Sequence, residues 1–87
     1  MSKYLATARY AGQGGAEIQR QTFSTGGFVL HRVKVAGYAS RFSAWFDSNG
    51  MLVDAEGIDS RGRSRQIPIG RGVANELQRI GNLYKPS

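Results

Sequence analysis

The 87-residue sequence contains no cysteine, one histidine, two prolines and only six acidic residues. Without cysteine there can be no disulfide, no thiolate metal site and no cysteine nucleophile. With a single histidine, His31, a histidine-rich metal cluster is also excluded. No apolar run approaches the roughly 18–20 residues of a membrane-spanning helix. The opening Met1-Ser2-Lys3-Tyr4 lacks the apolar core of a signal peptide, so a cytoplasmic location is expected. Base, by contrast, is abundant. Twelve Lys+Arg against six Asp+Glu give a net charge of +6, and nine of the twelve are arginine. An acidic partner is the natural counterpart of that imbalance.

The length fits one small domain, which hides roughly 60–65% of its unfolded surface on folding. A core of that size gains from joining edges or faces, so a homodimer is expected. The chain reads as strands first and one helix last. Lys3–Tyr10 alternates and then meets Gly12, Gly14 and Gly15, too flexible a stretch for a strand interior. Glu17–Phe23 is a polar strand, whose composition suits an edge. Phe28–Ala36 is the strongest strand. Strict alternation puts Val29, His31, Val33 and Val35 on one face and Phe28, Leu30, Arg32 and Lys34 on the other. Tyr38–Asp47 follows, with Tyr38, Phe42, Ala44 and Phe46 opposed to Arg41, Ser43 and Trp45.

Asp47-Ser48-Asn49-Gly50 is the sharpest local signal, since Asn-Gly between strand-like runs favours a two-residue type I′ turn. That turn pairs Phe46 with Val53, Ala44 with Ala55 and Phe42 with Gly57, and sets Trp45 opposite Asp54 and Ser43 opposite Glu56. A three-residue loop with Gly50 in a bulge is the alternative, at the cost of setting Ala44 against Asp54. Asp59-Ser60-Arg61-Gly62 repeats the pattern and predicts a type I turn with a left-handed glycine. Arg63–Ile69 is a last strand, confined to an edge by Pro68. Val73, Leu77 and Ile80 make the apolar stripe of a helix that starts at Gly72 or Val73 and stops at Gly81. The expected fold is α+β: a twisted antiparallel sheet of five or six strands, a meander of hairpins, with one C-terminal helix on one face.

The candidate site residues are basic and aromatic. Arg61, Arg63 and Arg65 at alternate positions would form a row on one strand face, with Arg71 following. Planar guanidinium forks at such a spacing suit repeated phosphates. Arg41 and Trp45 flank Ser43 on the outer face of their strand, where an exposed ring would stack a base. The competing readings are a solvated edge strand and a tryptophan buried in a core. The glycine-rich segments match no complete phosphate-binding signature. Neither His31 nor any serine has an evident catalytic partner set, and Asp54 and Glu56, which share a face, are better explained by cross-strand pairing with arginines than by acid–base or metal chemistry. No catalytic residue, metal or cofactor is therefore assigned.

In element order, the basic run Arg63-Ser64-Arg65-Gln66-Ile67-Pro68-Ile69 leading into a helix resembles single-stranded-DNA-binding coactivators of the positive-cofactor-four type. The resemblance covers the last third of the chain and implies binding of single strands. The expected function is non-enzymatic binding of nucleic acid, single-stranded DNA or RNA, through Arg41, Trp45, Arg61, Arg63, Arg65 and Arg71. The alternative is a small phage or mobile-element inhibitor, anti-CRISPR-like, that blocks an acidic or nucleic-acid-handling protein surface. An RNA-cleaving toxin is a third reading.

Overall fold

The computed structural model describes residues 4–11, 17–59, 61–65 and 69–86; the side chains of 4–11, 17 and 65 are not among what it describes. Four strands form the central sheet: β2 (Glu17–Phe23), β3 (Phe28–Lys34), β4 (Arg41–Phe46) and β5 (Leu52–Ile58). At one edge β1 (Tyr4–Ala11) pairs with β2, and at the other the two-residue β6 (Ser64–Arg65) pairs with β5. Every pairing is antiparallel and every neighbour consecutive, so the sheet is a plain meander. The helix α1 (Arg71–Tyr84) closes the chain. The fold is α+β, as the alternating runs and the single apolar stripe predict.

One sheet face and the helix make the core. Ile18, Phe28, Leu30, Val33, Val35, Phe42, Ala44 and Phe46 meet Val73, Leu77 and Ile80 of α1. Two hydrogen-bond sets dock the helix. Gln78 accepts from the Leu52 N–H at 2.8 Å and donates to the Gly50 carbonyl at 2.7 Å, fastening α1 to the β4–β5 turn. Arg20 donates to the Tyr84 carbonyl at 3.0 Å, placing a cation at the negative end of the helix. The opposite sheet face carries no further element among the described residues.

Strict alternation fails in β3. Phe28 and Leu30 share the core face with Val33 and Val35, while Val29 and His31 point the other way. The cause is a β-bulge between Leu30 and Val33, in which Arg32 adopts φ 63°. One extra residue inverts every later side chain. The grouping of Val29 with Val33 and Val35, and of Arg32 with Phe28, is corrected accordingly.

The β4–β5 turn is not type I′. Only Gly50 takes a positive φ (83°), the Gly50 N–H donates to the Asp47 carbonyl, and the Asp47 N–H donates to the Met51 carbonyl. Asp47 Oδ1 also accepts from the N–H groups of Asn49 and Met51, both at 2.9 Å, an arrangement an asparagine-glycine type I′ turn does not need. The three-residue loop pairs Phe46 with Leu52, not Val53. A second irregularity then skips the exposed Val53 and restores Trp45 opposite Asp54, Ser43 opposite Glu56, Ala44 opposite Ala55 and Phe42 opposite Gly57. The expected register survives because two one-residue shifts cancel. The second turn repeats the first: Asp59 Oδ1 accepts from the N–H groups of Arg61 and Arg63, and Gly62 takes φ 79°.

Other boundaries move. β2 is an interior strand between β1 and β3, not an edge. Its polar residues are used: Arg20 reaches the helix end, and Gln21 accepts a hydrogen bond from His31. Tyr38 belongs to the β3–β4 connection and packs edge-on against Phe42 at 5.5 Å. Of the expected last strand, Ser64–Arg65 form β6, Arg63 and Ile69 stand outside it, and residues 66–68, like the glycines at 12, 14 and 15, lie outside the described residues. The helix runs past Gly81 to Tyr84, ahead of Pro86. Gly81 is not a stop; the Phe46 ring occupies the place of its missing side chain.

Candidate nucleic-acid interface

The face of the sheet opposite α1 is built from the second set of alternating positions: Gln19, Gln21 and Phe23 on β2, Val29 and His31 on β3, Arg41, Ser43 and Trp45 on β4, and Asp54, Glu56 and Ile58 on β5. Its middle is well packed. Val29, between its register partners Gln21 and Trp45, is fully buried, and Ser43 is 3% exposed. Trp45 is half-buried, so it is neither a core residue under the helix nor a fully free platform.

His31 holds the face together. Its Nε2 lies 3.0 Å from Gln21 Oε1, a carbonyl oxygen that can only accept, so Nε2 carries the proton. Nδ1, 2.9 Å from Ser43 Oγ, then accepts the serine hydroxyl proton. The Trp45 ring stands edge-on to the imidazole at 6.4 Å and 86°. Burial lowers the His31 pKa below its ordinary value, and the nearby Glu56 carboxylate offsets part of that shift.

The neutral form thus stabilises the fold. The unfolded chain takes up a proton near pH 6.5 while the folded protein resists it. The contribution is full above about pH 6.5 and is lost as pH falls from there through the lower folded pKa. The urea midpoint is expected to decline between pH 7.5 and 5 in the wild type and less in His31→Gln. As the sole histidine, His31 can be titrated directly by NMR; a pKa at or above 6.5 would contradict this account.

Toward one end of the face the side chains line a cleft of about 680 Å³, formed by Gln19, His31, Arg32, Arg41, Ser43, Glu56, Ile58, Asp59 and Gly62. The β3 bulge turns Arg32 toward it, a use of bulges that is common beside binding sites. Toward the other end, Phe23, Trp45 and Val53 border an apolar hollow of about 560 Å³.

The structure brings together some of the sequence-predicted residues and separates others. Arg41 and Trp45 share the open face with Ser43 between them, as the alternation indicates. Arg61 and Arg63 are exposed on the β5–β6 turn, whose Asp59 and Gly62 form part of the cleft wall. Of the expected row, Arg61 lies in the turn and Arg63 just before β6, and the Arg65 side chain lies outside what the structure describes. Arg65 pairs with Gly57 through its backbone. Arg71 is exposed at the first turn of α1, on the helix side of the sheet.

Charge is polarised. The strand ends carrying the β3–β4 connection and the β5–β6 turn, with the start of α1 beside them, hold Arg32, Lys34, Arg41, Arg61, Arg63 and Arg71. Among the described residues the ion pair is Arg79–Glu76 on α1, and none of those six cations joins one. The same residues contain no cluster of three or more groups suited to a metal ion. They also contain no helix long and apolar enough to cross a membrane.

Sequence reasoning missed His31, Arg32 and Gln21 as members of this face. The pairing of His31 with Ser43 rests on contact between β3 and β4 through a bulge, for which a local pattern carries no signal. Glu56 was legible, since the β4–β5 register already set it opposite Ser43. No protein-family model, curated protein or solved structure matches the chain.

Proposed function

We propose that the protein is a non-enzymatic module that binds single-stranded nucleic acid across the open face of its sheet. One observation carries the reading: a face free of the helix carries the half-exposed Trp45 ring toward one end and Arg32, Arg41 and the exposed Arg61 and Arg63 toward the other, none of these cations in an ion pair among the described residues. Single strands are held by aromatic platforms joined to basic grooves. Arg41 and Trp45 are four residues apart on one strand, about 13 Å by strand geometry, so one strand can meet both.

Fluorescence-anisotropy titration of labelled single-stranded DNA, RNA and duplex at two salt concentrations tests it. Tight binding to a single strand is expected, with a log–log salt slope of about −2 if three phosphates are neutralised. Arg63→Ala should reduce that slope by about 0.7. Binding that ignores salt, or that survives Arg41→Ala with Arg63→Ala unchanged, removes the reading.

A second reading has its own observation. Met51, Val53 and Leu83 are 58%, 63% and 66% exposed. The first two lie at the β4–β5 turn, and Leu83 is in the last turn of the helix that Gln78 fastens there. Exposed apolar residues of this kind suit a protein partner, in keeping with an inhibitor of the mobile-element type that blocks a nucleic-acid-handling complex. Absence of nucleic-acid binding at low salt, in a protein of net charge +6, would favour it.

A further inference from the structure

The open-face cleft contains carboxylates as well as arginines. Asp59 is committed, since its Oδ1 accepts from two backbone N–H groups of its own turn. Glu56 is committed only in part: Oε2 accepts the Ser64 hydroxyl at 2.6 Å, which leaves Oε1 and further lone pairs. A carboxylate repels a phosphate, so a cleft lined by Glu56 is poorly made for a nucleic-acid backbone. It is well made for a donor edge.

Arg41 stands at a neighbouring position of the same face. It pairs with Ile58 while Ser43 pairs with Glu56, which makes Arg41 and Glu56 diagonal neighbours across β4 and β5. Diagonal positions are about 7–8 Å apart, within reach of long side chains. Yet the two form no ion pair, although both line the cleft. A fork of donors and a pair of acceptors therefore face the same space without using each other. Ile58 adds an apolar surface beside them.

Building on the single-strand reading, we infer that this cleft is a base-reading subsite for guanine. Guanine alone among the four bases carries two adjacent N–H donors, N1–H and N2–H₂, and on the next edge two acceptors, O6 and N7. The donor pair matches a carboxylate, and the acceptor pair matches a guanidinium in the commonest specific arginine contact. The two edges are separated by the width of the base, which suits an Arg41 and a Glu56 that do not touch. Thymine and adenine each offer only one donor group on these edges. Cytosine offers its N4 amino group but no second donor for the carboxylate. Unpaired bases expose all these edges, as a duplex does not.

The test compares labelled twelve-nucleotide thymidine strands carrying two separated guanines with the same strands carrying adenine, cytosine or thymine there. Anisotropy should show the guanine strand bound about 5- to 150-fold more tightly, the discrimination of one good bidentate pair. Glu56→Gln should abolish most of that preference while leaving affinity for the all-thymidine strand unchanged or raised. Arg41→Lys, which keeps the charge and loses the fork, should also reduce it. Salt-sensitive binding of all four strands with equal affinity overturns the guanine subsite and leaves the single-strand module standing. Binding of none of them overturns both. The wild-type ranking needs no variant, so a folding defect in Glu56→Gln, checked by circular dichroism, would not shelter the inference.

Discussion

Gly81→Ala is expected to lower the stability of this protein, although alanine is the better helix residue. In isolation the change favours the helix by roughly 0.8–1 kcal/mol. Here α1 lies so close to the sheet that a Cβ at position 81 would overlap the Phe46 ring, 2.6 Å from its Cζ and 2.9 Å from its Cδ2. The ring has nowhere to go. It stacks on Phe28 with centroids 4.7 Å apart and planes 13° from parallel, and it is 2% exposed. Overpacking of this sort costs about 1–3 kcal/mol, which exceeds the helical gain through most of its range. In a domain of this size each kcal/mol moves the melting temperature by about 4–8 °C. Gly72 supplies the control, because it lies in the same helix with nothing within 4 Å of its added Cβ. Thermal melts should show Gly81→Ala less stable and Gly72→Ala equal to or more stable than wild type. Phe46→Leu combined with Gly81→Ala should lose less than the sum of the two single changes. Equal melting temperatures for both alanine variants would mean that α1 stands further from the sheet than the structure places it.

The same glycine shows what a local pattern conveys and what it withholds. A glycine after Ile80 looks like a helix stop, and a glycine that admits a neighbouring ring looks identical. Tyr84, four residues beyond Ile80 and packed against the core, continues the stripe and was the available clue. Period-two alternation served well in β4, where Phe42, Ala44 and Phe46 face the helix and Arg41, Ser43 and Trp45 face away. It failed in β3 because Val29 is apolar on the open face too, which concealed the shift at Arg32. The bulges at Arg32 and Val53 are one-residue insertions fixed by pairing with β4, and neither is marked by a glycine. Half of the candidate site follows from the β4–β5 hairpin alone: Arg41, Ser43, Trp45 and Glu56. The other half, Gln21, His31 and Arg32, needs β2, β3 and β4 brought side by side, which only non-local contacts accomplish.

Trp45→Leu is expected to weaken single-strand binding by about 5- to 150-fold, the equivalent of one stacked base at roughly 1–3 kcal/mol. Leucine is the informative replacement. Val29 is fully buried with Trp45 as its β4 register partner, so alanine would mix lost stacking with a hole over the valine. Leucine keeps apolar volume there and removes the π-face. The effect should also be separable from charge. On the proposed reading Trp45 would contact bases and neutralise no phosphate, so its loss should shift the whole salt-dependence line downward without changing its slope. Arg63→Ala should flatten that slope. Because Trp45 is the only tryptophan, its emission in the wild type reports the same event, and quenching should track anisotropy along the titration. The Trp45 ring stands edge-on to His31 at 6.4 Å, near enough for a stacked base to alter the surroundings of the imidazole. Quenching should therefore be accompanied by a change in the His31 NMR signals. If Trp45→Leu binds single strands as tightly as wild type, with an unaltered melting temperature, the ring is a lid over Val29 and not a platform. The arginines would then carry the affinity alone, and the salt slope would account for all of it.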